Sequence, residues 1–436
     1  RSGVNELMLV VNDGTGDYYQ DRANWVEPEI TCTSKPNGDG SSFNHIRGSW
    51  DPVMNWPVKA IHATLLPSGH IVSHASVDPG QIAPGDPNLD HDYTKIDLSD
   101  ISTWSHEWVD HTTQEMYCSA HTLLSDGTLF EFGGHDGDSP IGKVYGKAQA
   151  SIFDLESKTW QEVTHMSQAR WYPTAVTLGN GDILSIGGSN GEFNIFKPEV
   201  YDGQNWRTLN NVDYSNLLIS NNTYFDHTYP FVHLVSDGRV FWSGWDEKMA
   251  YIDTNDNGSW GQFYTREGDQ YRLWASPVMY EQDKLLLIGG LATDNVYAHA
   301  SHSTLKIDLT GNTPQTSEST PMLYARTDAD GTIMANGEIL INGGAFYHFL
   351  GFNPTQIFTP EIWNPDTEEW TIADAATNPR TYHSSSLLLP DGRIWTGGGE
   401  CGDDCDLGQT AQVFNPPYLY KKDGSGDLAP RPSIRS

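Results

Sequence analysis

The sequence predicts an all-β protein, a seven-bladed β-propeller. Three observations carry that expectation: a glycine turn recurring about every fifty residues, a short hydrophobic run often ending in paired glycines after each turn, and an aromatic-ended strand later in each unit. The turns lie in LPSGHIVSHAS, LSDGTLFEFGGH, LGNGDILSIGGS, VSDGRVFWSGW, EQDKLLLIGGL, MANGEILINGGA and LPDGRIWTGGGE. Their turn positions are Gly69, Gly127, Gly181, Gly238, Lys284, Gly337 and Gly392, at intervals of 58, 54, 57, 46, 53 and 55 residues.

Each element of the unit has a physical reason. Gly or Asn at the turn supplies the positive φ of a tight hairpin. The paired glycines let strands approach where a Cβ would strike the next blade. Trp104, Trp160, Trp206, Trp260 and Trp370 end the later strands and are expected to wedge between adjacent blades. Residues 50–420 are read as propeller. Residues 1–49 do not match the repeat and are an edge strand, a linker or the tail of an upstream domain. Residues 421–436, polar and rich in Pro and Gly, read as a linker leaving the propeller.

Composition narrows the function. The 436 residues carry 25 basic against 57 acidic side chains, a formal charge of −32, with 37% hydrophobic residues. Such a field repels phosphate backbones and anionic lipid, so neither nucleic acid nor a membrane surface is the expected partner. Mean hydropathy is −0.50 with no long uncharged apolar run, which argues against a transmembrane span and against a signal peptide within this stretch. The start at Arg1 reads as a mature or excised fragment. Four cysteines cannot form a disulfide scaffold. Cys401 and Cys405 in ECGDDC are a disulfide candidate, with free thiols or a zinc half-site as alternatives; Cys32 has no obvious mate.

In a propeller the innermost strands line the axis, so equivalent positions converge. Nine residues before each turn position stand Ala60, Cys118, Tyr172, Tyr229, Ala275, Asp328 and His383, with Tyr382 beside the last. A structural ring would be small and apolar. A thiol, phenols and an imidazole meeting at one pole suggest a transition-metal or redox site, copper or iron before magnesium or calcium. The alternative is that each is a satisfied core residue or lines a watery channel.

EMYCSAHTLLSDG, ARWYPTAVTLGNGDILSIGGS, PRTYHSSSLLLPDGRIWTGGG and AQVFNPPYLYKKDGSGDLAPRP occur in that order and together resemble the galactose oxidase/glyoxal oxidase family of copper radical oxidases over about residues 50–436. The glycine turns alone are shared by all kelch-type propellers; the cysteine one blade before ARxY, followed by YHSxSLLLPDGR, is what makes the resemblance specific. It implies a secreted oxidase that takes a primary alcohol or aldehyde, carbohydrates included, and reduces dioxygen to hydrogen peroxide. By resemblance Cys118 forms a thioether with Tyr172, a copper ligand. Tyr382 is the axial ligand and general base, and His383 is a histidine ligand. The spacing agrees, since Cys118 and Tyr172 are 54 residues apart, one blade period. A thioether ortho to the phenol delocalises an unpaired electron, so radical and Cu(II) together accept two electrons.

Departures from the family pattern set further expectations. The family's second histidine ligand belongs to a C-terminal β-sandwich domain after RPxI; this chain stops at Ser436, so that domain is expected to be missing here and to supply the ligand. Galactose oxidase carries a stacking tryptophan just after GGS, where this sequence has Asn190. Trp274, Phe193 or Trp171 is then the candidate shield. No match exists for the sugar-binding arginine, which argues against galactose specificity. His121, Tyr229, Asp328 and Trp274 are candidates for a supporting layer. The rival readings are a non-catalytic propeller binding a glycan or protein, and a hydrolase or lyase built on Asp328, which lacks a paired carboxylate in the ring. Acidic clusters such as Asp253 to Ser259 lack full calcium-loop spacing and read as solvated turns.

Overall fold

The computed structural model describes residues 42–76, 94–109, 115–138, 144–191, 193–195, 197–214, 228–266, 271–293, 295, 297–311, 313–348, 355–400 and 406–431. All belong to one unit, residues 42–436. Seven antiparallel sheets of four or five strands follow one another along the chain, as the repeat predicts. Their innermost strands are His62–Leu65, Ser119–Leu123, Trp171–Thr177, Val232–Leu234, Ser276–Glu281, Thr327–Ile333 and Ser384–Leu388.

The ring closes through the first described residues. Ser49–Trp50 pairs with Thr410–Asn415, register Ser49↔Asn415, and so becomes an outer strand of the seventh blade. Met54–Asn55 pairs with the same strand. Ser49, grouped above with the N-terminal segment, thus pairs within the propeller unit. Beyond 420 the chain turns back: Lys421 N donates to Asp427 O at 2.9 Å and Ala429 N to Leu419 O at 2.8 Å.

The core lies between blades. Leu129–Gly133 is buried along its whole length because a neighbouring blade covers each face. Phe130 and Phe132 of the second blade pack with Ile183, Tyr201 and Trp206 of the third. Trp56, Trp395 and Val413 pack with Ala63 and Ile71 across the closure of the ring. The strand-ending tryptophans lie in the same seams. Trp206, Trp260 and Trp370 donate their indole N–H to the carbonyls of Thr164, Asp213 and Thr320 at 2.7, 3.1 and 2.9 Å, each belonging to the chain just before that blade.

A buried arginine latch also joins blades. Arg170, Arg326 and Arg380 each donate Nη1 to a carbonyl of the paired glycines in their own blade (Gly187, Gly343 and Gly398), all at 2.8 Å. Their own carbonyls accept N–H groups from the preceding blade: Gly134 bonds Arg170 O at 3.0 Å and Gly344 bonds Arg380 O at 2.5 Å. Glycine is required here. At Gly343 φ is +67° and an added Cβ would lie 2.1 Å from Arg380 O. Arg170 and Arg326 are neutralised by Glu199 and Glu361 at 3.0 and 2.7 Å, with no more than 1% of any of these side chains exposed.

Two predictions follow from this packing. Arg326→Leu leaves the Glu361 carboxylate buried without its charge partner and should lower unfolding free energy by about 3–5 kcal/mol in a denaturant titration; a loss no larger than that of an exposed pair, about 1 kcal/mol, would end the latch. The second concerns protons. Burial pushes the His233 imidazole down from 6.5 to about 4. Between those values the unfolded chain holds a proton that the folded chain refuses, so stability falls as pH drops through that window. His233→Leu should therefore reduce proton uptake on unfolding at about pH 5 by roughly one, read from the pH dependence of the unfolding midpoint.

Candidate metal centre

The backbone at the head of the innermost strands decides which side chains reach the axis. Cys118, Tyr172, Tyr229, Trp274, Asp328 and His383 have φ of 59, 61, 45, 53, 56 and 66°, the left-handed region that non-glycine residues rarely occupy. Each such residue costs about 1–3 kcal/mol unless its surroundings impose it. Here neighbouring blades do so. Tyr172 N donates to Cys118 O at 2.9 Å, Tyr229 N to Tyr172 O at 2.8 Å, and Asp328 N to Trp274 O at 3.1 Å. Cys118 N donates to His62 Nε2 at 3.1 Å.

This ring corrects the sequence count at one blade. Lys284 does not occupy the turn conformation; Asp283 does, with φ 62°. Counting nine residues back from Asp283 gives Trp274 instead of Ala275. A second signal was present in the sequence, because Arg170, Arg272 and Arg326 each stand two residues before a ring residue.

Cys118, Tyr172, Tyr382 and His383 meet at this pole. The Tyr172 and Tyr382 hydroxyls are hydrogen-bonded to each other, and His383 Nε2 lies 3.4 Å from Tyr172 Oη. Cys118 is 1% exposed and packs with Trp171 and Tyr172. Burial pushes its thiol up, against hydrogen bonds from Tyr172, Tyr117 and Trp171. Burial, reinforced by Cys118, also holds both phenols well above their ordinary value. His383 Nδ1 is 2.8 Å from Glu400 Oε1, and Lys59 Nζ lies 3.6 Å from that oxygen. Burial alone would raise the Glu400 carboxyl, but the His383 hydrogen bond and the charges of His383 and Lys59 bring it below its usual value. The carboxylate leaves His383 Nε2 turned toward the two phenols.

The supporting candidates are distributed differently. Tyr229 stacks on Tyr172 at 4.6 Å, and Trp171 stacks on Tyr172 at 3.9 Å and 15°. Trp274 instead stacks on His348 at 3.7 Å. Asp328 takes His348 Nδ1 at 2.8 Å, and His348 meets Tyr382 edge-on at 5.4 Å. His121 packs against His62 at 5.4 Å, whose Nε2 accepts the Cys118 N–H. Asn190 Oδ1 accepts the Gly146 N–H at 3.1 Å, a contact between the ends of strands Ile183–Asn190 and Val144–Gly146. The side chain of Phe193, together with Cys32, Cys401 and Cys405, lies outside the described residues. Glu400, His348, His62 and Lys59 were not singled out by the sequence. Glu400 directly follows the last glycine run, and that position beside the pole was its one signal.

Copper is the metal the resemblance implies, and the donors suit it. Two phenol oxygens and an imidazole nitrogen, oriented by a carboxylate on its far side, give the mixed nitrogen–oxygen set that Cu(II) accepts. Among the described residues no group of three His, Cys, Asp or Glu side chains forms a rival site. No helix there is long and apolar enough to cross a membrane.

Comparison with known proteins bears on the family of the chain. Residues 109–409 match the family described as glyoxal oxidase N-terminus. The chain is 28% identical over 414 residues to a galactose oxidase of Gibberella zeae, covering 89% of this chain and 57% of that protein. It is 25% identical over 433 residues to aldehyde oxidase GLOX1 of Arabidopsis thaliana, covering 84% and 67%. A solved structure described as a novel fungal alcohol oxidase of the AA5 family, in complex with copper, superposes with a TM-score of 0.78 at 27% identity, over 89% of this chain and 80% of that one. The chain thus spans little more than half of the galactose oxidase it matches. With the match covering well over half of its length, this chain belongs to the glyoxal oxidase/galactose oxidase family of copper radical oxidases.

Proposed function

We propose that the chain carries the radical-bearing part of a secreted copper oxidase that converts a primary alcohol or aldehyde hydrate to the next oxidation level while dioxygen becomes hydrogen peroxide. The observation that carries this reading is the meeting of the Tyr172 and Tyr382 hydroxyls with His383 Nε2 beside the buried Cys118 thiol. Tyr172, Tyr382 and His383 would hold the metal. The resemblance assigns a further histidine to a C-terminal domain, and the reading includes it. Bound copper supplies a one-electron acceptor and an electrophilic centre for the substrate oxygen.

The chain's own residues do the remainder. Cys118 and Tyr172 form the thioether, which spreads an unpaired electron from the ring onto sulfur. Trp171 lies flat against Tyr172 and keeps water and reductants from that face. Tyr382, hydrogen-bonded to Tyr172, receives the hydroxyl proton of the substrate at its phenol oxygen. Two electrons and two protons leave the substrate and appear in hydrogen peroxide. Glu400 holds His383 in one tautomer throughout.

Peptide mapping of copper-exposed protein under dioxygen should find the Cys118 and Tyr172 peptides joined, lighter by two hydrogens. Cys118→Ser should remove that link and reduce peroxide output to background at an unchanged melting temperature. Unlinked wild-type peptides would overturn the radical reading. Proton release gives a separate check. Burial keeps both phenols protonated in the metal-free protein near neutrality, so their ligation must expel protons. Copper affinity should rise about tenfold per pH unit for each proton expelled, seen by titration in two buffers of different ionisation heat. Binding without proton release would remove the phenols from the ligand set.

A further inference from the structure

Three buried ionisable groups next to this pole have no part in the chemistry above. His74 is 2% exposed, His62 8%, and Glu131 is fully buried in an otherwise apolar strand. They close a loop around Cys118. His62 Nε2 accepts the Cys118 N–H at 3.1 Å. The next residue, Ser119, donates its hydroxyl to Glu131 Oε1. His74 Nε2 lies 3.0 Å from that same oxygen, and the His74 ring stacks on His62 at 4.9 Å. Glu131 Oε2 has no hydrogen-bond partner among the described residues. A carboxylate buried with one oxygen unpartnered costs more than an apolar side chain would, so blade packing alone does not account for it.

Tyr229 connects this frame to Tyr172. Its hydroxyl donates to Ser119 O at 2.8 Å while its ring lies against Tyr172 at 4.6 Å and 26°. Trp171 occupies the opposite face at 3.9 Å. Tyr172 is therefore held between two aromatic planes, one of them anchored to the residue after Cys118.

We infer that Tyr229 is a positioning residue for the Cys118–Tyr172 bond, and that His62, His74 and Glu131 form the buried frame keeping sulfur and ring in register. The inference rests on the oxidase reading and deepens it. Forming the bond breaks Cys118 S–H and a C–H ortho to the Tyr172 hydroxyl and makes one C–S bond. The two electrons and two protons released pass to dioxygen, giving hydrogen peroxide. Sulfur must meet the ring at its edge and in its plane. The two stacked rings fix that plane, and the frame fixes the backbone that presents the sulfur. Misplacement by about 1 Å is enough to slow such a step about a hundredfold.

The test follows linkage over time by peptide mass after copper is added under dioxygen, for the full chain and for Tyr229→Phe, Tyr229→Leu and Glu131→Gln. Melting temperature and copper stoichiometry are measured beside it. Tyr229→Phe keeps the stack but loses the anchor, and should slow linkage about tenfold. Tyr229→Leu loses both and should slow it about a hundredfold. Glu131→Gln should slow it as Tyr229→Phe does, at unchanged copper stoichiometry. Linkage at the wild-type rate in folded, copper-loaded Tyr229→Phe overturns the inference and leaves the oxidase reading standing. Should the leucine variant fail to fold, the isosteric phenylalanine variant still decides. A wild-type chain that never links overturns the oxidase reading itself.

Discussion

The ring side chains at the candidate centre are placed by one backbone constraint, the left-handed residue at the head of an innermost strand. In an extended strand neighbouring side chains point to opposite faces. Trp171 and Tyr172 could not then stack, nor could Tyr382 and His383 both reach one pole. The positive φ at Tyr172 and His383 removes that alternation. Consecutive residues thereby become a stacked pair at 3.9 Å in one case and two inward-turned donors in the other. The strain is held by bonds from neighbouring blades, Tyr172 N to Cys118 O and Tyr229 N to Tyr172 O. A propeller suits such a site because each blade imposes on the next a conformation that no single blade would keep.

The arginine latch maintains the same spacing from outside the ring. Arg170, Arg326 and Arg380 tie the glycine carbonyls of one blade while their own carbonyls receive the blade before. Two of the three carry a buried glutamate, and breaking such a pair costs far more than an exposed pair contributes. The latch stands two residues before Tyr172 and Tyr382, so the force that sets the blade interval also sets the height of the candidate ligands along the axis.

The fold was legible because turn, hydrophobic run and glycine pair are local, and their period survives loops of varying length. Cys118, Tyr172, Tyr229, Asp328 and His383 could be found by counting because they share one register. Trp274 was displaced by one position because Asp283 makes the turn that glycine makes elsewhere, and an aspartate in that conformation carries no obvious mark in sequence. Glu400, Lys59, His348 and His62 were not legible. Their partners lie 17 to 341 residues away or in loops without a period: His383 is 17 residues from Glu400, and Glu400 is 341 from Lys59. Only the closed ring brings them together.

The absence of tryptophan after GGS at Asn190 looked in the sequence like the loss of a shield. Of the candidates for that place, Trp171 is the one stacked on Tyr172 among the described residues. Asn190 binds the Gly146 N–H at the end of the strand Val144–Gly146, while Trp171, adjacent in sequence to the tyrosine itself, lies flat on its ring. What a radical-bearing phenol needs is an apolar plane at stacking distance, and which strand supplies that plane is immaterial to the chemistry. Moving it has a consequence, however. Trp171 is tied to Tyr172 by one peptide bond, and Trp171 and Tyr229 together hold the ring between two aromatic planes. Both faces of the Tyr172 ring are thus covered, and the buried Cys118 packs in the same cluster.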